Sequence, residues 1–232
     1  MISIKNLKKT YKGIDAVNID SLEIHAGEVI GLVGNNGAGK TTFFRLLLDL
    51  IRSDEGEILS KGNLVTTTEE WKSYTAAYID EGFLIDYLTP EEYFYFVGKL
   101  NQLPKADVDA FLQNYLSFFD DAILSKGKYI RDFSKGNQFK IGIIAALLTN
   151  PELLILDEPF ANLDPTTQLR LVDMIKTMAA DKRMCILVSS HDINHVSEVS
   201  SRVLLMEKGK IIKDIAGGDT AYEELVDYFK IR

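Results

Sequence analysis

Residues 29–42 read VIGLVGNNGAGKTT: an apolar run from Val29 to Val33 enters Gly34, Asn35, Asn36, Gly37, Ala38, Gly39, Lys40, Thr41 and Thr42 without a break. Phe43, Phe44, Leu46, Leu47, Leu48, Leu50 and Ile51 follow at the density of a buried helix, so the order is strand, glycine-rich loop, helix. Gly34 to Thr41 fits the pattern G-x-x-x-x-G-K-[ST]. There, backbone amides of a tight loop and a helix N-terminus surround phosphate oxygens while a lysine adds a compact positive charge. Gly34, Gly37 and Gly39 permit the turns. Lys40 is expected to reach the β and γ phosphates of a nucleotide, Thr41 to set its hydroxyl on magnesium, and Thr42 to contact the α-phosphate side.

Moving outward toward the N-terminus, Ile2, Ile4, Val17, Ile19, Leu22 and Ile24 are separated mostly by polar residues, the period-2 pattern of half-exposed antiparallel strands. In the other direction the composition shifts. Residues 83–133 carry twelve aromatics and few β-branched runs, and predict an inserted helical lobe whose aromatics fill its core. Its first long helix is signalled by Thr89, Pro90, Glu91 and Glu92, which supply an N-cap, a proline at the first helical position and a capping-box glutamate. After Asn150 and Pro151 the α/β alternation returns. It gives a strand at 153–156, a helix opened by Asp164 and Pro165, a strand at 185–189, a hairpin turning at Glu207, Lys208 and Gly209, and a terminal helix over 220–230.

The apolar strand at 153–156 runs into Asp157 and Glu158. Paired acids at a strand's C-terminal edge can divide labour, because side chains alternate along a strand. Asp157 is expected to serve magnesium, mostly through water, and Glu158 to polarise a water in line with the γ phosphate. Ser189, Ser190 and His191 close another apolar strand. His191 and His195 also have the spacing of a helical zinc pair, but cysteine offers no third ligand and His25, the other histidine, reads as structural.

The 232 residues, 46% hydrophobic and 26% charged, can build one core or two fused lobes, and exclude disorder as the main state. With 26 Lys and Arg against 34 Asp and Glu, the net charge of −8 argues against nucleic acid or a membrane surface held by basic charge. No apolar stretch approaches the roughly 20 residues of a membrane span, and no signal peptide is legible. Any membrane role is therefore expected to run through a partner chain. Cys185, the single cysteine, lies within an apolar run, which rules out a disulfide framework and fits a reducing compartment.

The order of these motifs resembles the nucleotide-binding subunit of ATP-binding-cassette transporters, bacterial exporters more than importers, over essentially the whole chain. Tyr11 matches an adenine-stacking aromatic. Ser134, Lys135, Gly136, Asn137 and Gln138 resemble the signature L-S-G-G-Q, with Lys135 for its first glycine and Asn137 for its glutamine. Ala161, Asn162, Leu163 and Asp164 look like the D-loop, and His191 like the switch histidine. Glu81 stands where the family has the Q-loop glutamine, which touches magnesium.

The resemblance implies an α/β P-loop NTPase with a mixed-sheet core, an N-terminal antiparallel β subdomain and an inserted α-helical subdomain. It implies a single ATPase domain over 1–232, in which 1–82 and 151–232 form the core and about 83–150 the helical part. It implies ATP and Mg2+, with Lys40, Glu158 and His191 in catalysis and Thr41, Asp157 and Glu81 on the metal. The nucleotide would meet Tyr11, Gly34 to Thr42, Glu81 and Asp164, and be clamped by Ser134 and Gly136 of a second subunit. Homodimer and heterodimer both remain open. The implied function is ATP-driven transport through an integral-membrane permease, from the cytoplasmic face of the membrane, with no nucleic acid involved. A soluble cassette ATPase acting on ribosomes or DNA is the second reading.

Overall fold

The computed structural model describes residues 1–79, 81–119, 121–161, 163–180 and 182–230, with the side chains of Glu81 and Asp219 outside that description. β1 (Ile2–Tyr11) and β2 (Ile14–Ile24) pair antiparallel, with Ile2 opposite Ile24 and Ile4 opposite Leu22. The alternating pattern buries Ile2, Ile4, Leu7, Val17, Ile19, Leu22 and Ile24. β3 (Val29–Val33), buried throughout, belongs to a second sheet. β4 (Glu55–Ser60) and β5 (Asn63–Leu64) complete the first sheet in the order β2-β1-β4-β5.

The second sheet adds β6 (Thr75–Tyr78), β7 (Leu153–Leu156), β8 (Cys185–Ser190), β9 (Arg202–Glu207) and β10 (Lys210–Ala216), in the order β10-β9-β3-β8-β7-β6. The strands from β9 to β6 run parallel and β10 turns back antiparallel. Its central strands are continuous apolar runs because both faces are covered. α1 (Lys40–Leu47) and the antiparallel sheet cover one face, with Phe43, Phe44, Leu32 and Leu187 in that core.

Between β6 and β7 lie α2 (Pro90–Leu100), α3 (Lys105–Gln113), α4 (Leu116–Phe119) and α5 (Lys135–Leu147). With α6 (Pro165–Ala180) they form the other core, in which Phe94, Phe119, Ile144 and Ile175 pack with Leu154. α7 (Ile193–Val199) and α8 (Asp219–Lys230) close the molecule over the β9–β10 hairpin through Val196, Leu205 and Leu225. No helix among the described residues is long and apolar enough to cross a membrane. Cys185 is buried in β8, and that burial pushes its thiol up to about 12.

The capping box forms at α2 as the residues demand: the Glu92 amide donates to Thr89 Oγ1 at 3.3 Å and the Thr89 amide to Glu92 Oε2 at 2.8 Å. α1 is shorter than its apolar pattern predicts. Asp49 takes φ 49°, its amide donates to Leu46 O, and the Leu50 amide returns to Arg45 O at 2.9 Å. That left-handed stop ends the helix at Leu47 and leaves Leu50 exposed. The aromatic segment divides: Phe94, Phe118 and Phe119 are core, whereas Phe83, Tyr87, Phe96 and Tyr129 stand exposed. α5 approaches β6 closely at Gly142, where a Cβ would fall inside the Tyr78 ring.

Candidate nucleotide site

The C-terminal ends of β3, β7 and β8 converge, as open parallel sheets arrange for their ligands. From β3 the chain enters the glycine loop. Gly37 (φ 82°) and Gly39 (φ 111°) take left-handed backbone that a side chain would strain, and a Cβ on Gly39 would strike Ala16 O. Lys40 opens α1. It is 6% exposed, donates to Gly34 O at 2.6 Å and lies 3.1 Å from Glu158 Oε1. The loop, Thr41, Thr42, Ala16 and Glu158 line a cavity of about 250 Å³. Larger cavities exist, but this one unites a buried lysine, hydroxyls, loop amides and a carboxylate, and that chemistry identifies it.

The outer wall of the loop comes from the far end of the chain. A Cβ on Gly34 would meet Met206 O, the Gly209 amide donates to Ala38 O at 2.8 Å, and the Asn18 amide donates to Gly209 O at 2.7 Å. The β9–β10 turn thus stitches the phosphate loop to β2.

From β7 come the carboxylates. Asp157, 7% exposed, accepts from Thr41 Oγ1 at 2.5 Å and from Ser189 Oγ at 2.5 Å. Burial pushes its pKa above the ordinary carboxylate value, against the downward pull of the two hydroxyls. β7 ends at Leu156, so strand alternation does not part the two acids as the sequence predicts. Glu158 sits at φ 49°, and this left-handed step turns its carboxylate from Asp157 toward Lys40 and His191. Its amide donates to Ser189 Oγ at 2.8 Å. From β8, the His191 amide and Nδ1 reach Glu158 Oε2 at 3.3 and 2.8 Å.

The structure therefore brings together Lys40, Thr41, Asp157, Glu158 and His191. Of the other residues singled out in the sequence, Tyr11, Ser134 and Asp164 are not among those that line the cavity. Tyr11 ends β1, half exposed with Lys9 Nζ 5.5 Å from its ring centroid, and does not line the cavity. Ser134 caps α5, accepting from the Asn137 amide at 3.3 Å, with Gly136 in the first turn. Asp164 accepts from the Thr167 amide and hydroxyl at 3.0 and 2.6 Å, which holds it below the ordinary carboxylate value. Glu81 opens a short 3-10 turn, Glu81–Phe83; its side chain, like Asn162, lies outside the described residues. His191 precedes α7, so it shares no helical face with His195, whose ring stacks on Phe160 instead.

Two residues that the sequence names take roles it does not reveal. Ser189 joins both carboxylate residues, and its signal was a hydroxyl ending an apolar strand. Gln138, 8% exposed, donates to the carbonyls of Ile130 and Phe133 at 3.1 and 3.0 Å, which fixes the turn ahead of Ser134.

A parallel sheet carrying a phosphate loop, a buried lysine and paired acids at its C-terminal edge defines a P-loop nucleotide triphosphatase. Within that class, the family model described as ABC transporter matches residues 17–161. The chain is 31% identical over 236 residues to YcbN, an uncharacterised ABC transporter ATP-binding protein of Bacillus subtilis, covering 97% of this chain and 74% of the relative. It is 32% identical over 237 residues to MJ1023, described likewise, of Methanocaldococcus jannaschii, covering 99% and 84%. A dimeric post-hydrolysis structure of the ATP-binding cassette MJ0796 with ADP and Pi superposes with a TM-score of 0.81 at 22% identity, over 93% of this chain and 98% of that one. The chain belongs to the ABC transporter family, as one of its ATP-binding, ATP-hydrolysing subunits.

Proposed function

We propose that this chain hydrolyses ATP at the Lys40, Thr41, Asp157, Glu158 and His191 constellation and delivers the work to a separate integral-membrane permease. The observation that carries the reading is the convergence of these five side chains on one sheet edge beside the phosphate loop. Lys40 and the loop amides hold the β and γ phosphates, while Gly34 to Thr42 wrap the triphosphate. Thr41 Oγ1 and Asp157 Oδ2, hard oxygen donors already in contact, fit Mg2+, which when bound neutralises phosphate charge. Glu158 takes the proton of the attacking water, and His191, on Glu158 Oε2, orients that carboxylate and senses the γ phosphate.

The remaining roles follow from the family pattern. Tyr11 stacks on adenine, Glu81 and Asp164 complete the site's margin, and Ser134 and Gly136 of a second copy or a paralogue clamp the nucleotide from α5. The MJ0796 cassette forms a dimer, which supports pairing of this kind. Residues 83–150 then act as the helical lobe on a core of 1–82 and 151–232. The exposed Phe83 and Tyr87, 54% and 63% accessible, offer the permease a contact face on the cytoplasmic side of the membrane.

Glu158→Gln tests the centre of this reading. It should keep ATP affinity, lose about 10²- to 10⁴-fold in turnover, and accumulate an ATP-dependent dimer visible by light scattering. Hydrolysis at the parent rate would remove Glu158 from the mechanism. Parent-like ATP binding and turnover in Lys40→Ala would remove the phosphate loop.

A further inference from the structure

The geometry points to His195 as a positioning residue for Glu158, acting through Phe160 from outside the nucleotide cavity. This rests on the reading of Glu158 as the water-activating carboxylate. Glu158 occupies left-handed backbone at φ 49°, uncommon for a residue with a side chain, and such a conformation persists only where its surroundings over-determine it. Several contacts do so. The Glu158 amide is tied to Ser189, the Ala161 amide returns to Glu158 O at 3.1 Å, and Gln168 Nε2 holds Phe160 O at 2.9 Å.

The 158–160 turn is linked by two rungs to α7 and to the segment that leads into it. The inner one is His191 on Glu158 Oε2. The outer one joins Phe160, two residues on from Glu158, to His195, four residues on from His191 and within α7. There the imidazole of His195 stacks on the Phe160 ring, with centroids 4.7 Å apart and planes within 15°. Phe160 is 3% exposed, so the imidazole covers a buried ring. His195 Nδ1 is itself buried and makes no hydrogen bond among the described residues, with an Asp192 oxygen 3.5 Å away. The flat face of the ring is thus the contact by which His195 acts.

The two rungs fix both ends of a three-residue turn, one against the segment that leads into α7 and the other against α7 itself. Without the outer rung, Phe160 loses the packing on one face of its ring, the turn about Glu158 is held less tightly, and the carboxylate shifts relative to His191 and Lys40. Neither Phe160 nor His195 lines the cavity, so ATP binding is left alone while the reacting geometry loosens. A misplacement of this kind costs between about 10- and 10²-fold in rate.

The test uses the full chain with saturating ATP and Mg2+, comparing His195→Ala, His195→Phe and Glu158→Gln for ATP affinity, turnover and melting temperature. His195→Ala should bind ATP as the parent does and turn over at least 10-fold more slowly, and His195→Phe, which restores a flat ring, should regain most of that rate. Parent-like turnover in His195→Ala overturns the proposal, as does a His195→Phe variant as slow as His195→Ala. If His195→Ala does not fold, Phe160→Leu, which keeps apolar volume but removes the ring, carries the same expectation of slow turnover with intact ATP affinity. Parent-like turnover in Phe160→Leu overturns the proposal equally. A Glu158→Gln chain that hydrolyses normally brings down the reading of Glu158 itself; a dead Glu158→Gln beside a normal His195→Ala defeats the positioning role alone.

Discussion

Ser189 Oγ has two jobs at once: it donates to Asp157 Oδ1 and accepts the Glu158 amide. It is fully buried, so deleting it leaves an amide without a partner in a water-poor setting. Ser189→Ala should therefore lose about 1–3 kcal/mol in urea unfolding, and turnover should fall because both acids lose their anchor. Unchanged unfolding midpoint and turnover would show that another group takes the amide. At this scale the sequence discloses the residues that act directly on phosphate, since Lys40 and Thr41 are bound to the glycines by spacing and Asp157 and Glu158 to their strand. It does not disclose Ser189 as a bridge or Phe160 and His195 as a pair. Those relations exist only once β7 and β8 lie side by side, and no periodicity encodes them.

Among the elements, legibility follows how local the cause is. The α2 start was readable because its capping box is complete within four residues, Thr89 to Glu92. The α1 end was not, because Leu48, Leu50 and Ile51 continue an apolar pattern while a left-handed Asp49 stops the helix. α5 adds a case in which the missing side chain matters. Gly142 lets the helix lie against Tyr78, whose ring also meets Phe139 edge-on at 5.1 Å. Gly142→Ala improves helix propensity yet forces a methyl into that ring, and overpacking of this kind outweighs the propensity gain. The expected result is a net loss of about 1–3 kcal/mol in denaturant unfolding. A more stable variant would mean that Tyr78 can move aside freely.

At the scale of the molecule, Arg202 links β9 to its neighbours: it donates to both oxygens of Asp214 at 2.7 and 2.6 Å and to Glu23 O at 2.8 Å. The guanidinium holds Asp214 below its ordinary value of 3.8. An acid depressed in the fold stabilises it fully above the unfolded pKa and loses that contribution as pH falls through the lower folded value. The window lies below about pH 4. Melting temperatures of the parent and of Asp214→Asn should differ at pH 7 and converge between about pH 4 and pH 2. A constant gap across that range would mean the pair contributes nothing through ionisation. The architecture itself was visible in outline, since strand, loop and helix order imply a wound parallel sheet with an antiparallel companion. The strand order was not, because which parallel strand lies between β3 and β7 is decided by packing rather than by chain order.

The stitch between Gly209, Ala38 and Asn18 also sets a timetable. The phosphate loop leaves the ribosome early, yet its outer wall is made by a hairpin near residue 209, so the contact that finishes the loop spans most of the chain. Contacts of such long sequence separation form late and slowly, after their loop entropy has been overcome. Half-made chains therefore carry the glycine motif without its wall. Capacity to hold ATP then waits on the β9–β10 hairpin, so nucleotide retention in this subunit reports that the loop has its wall.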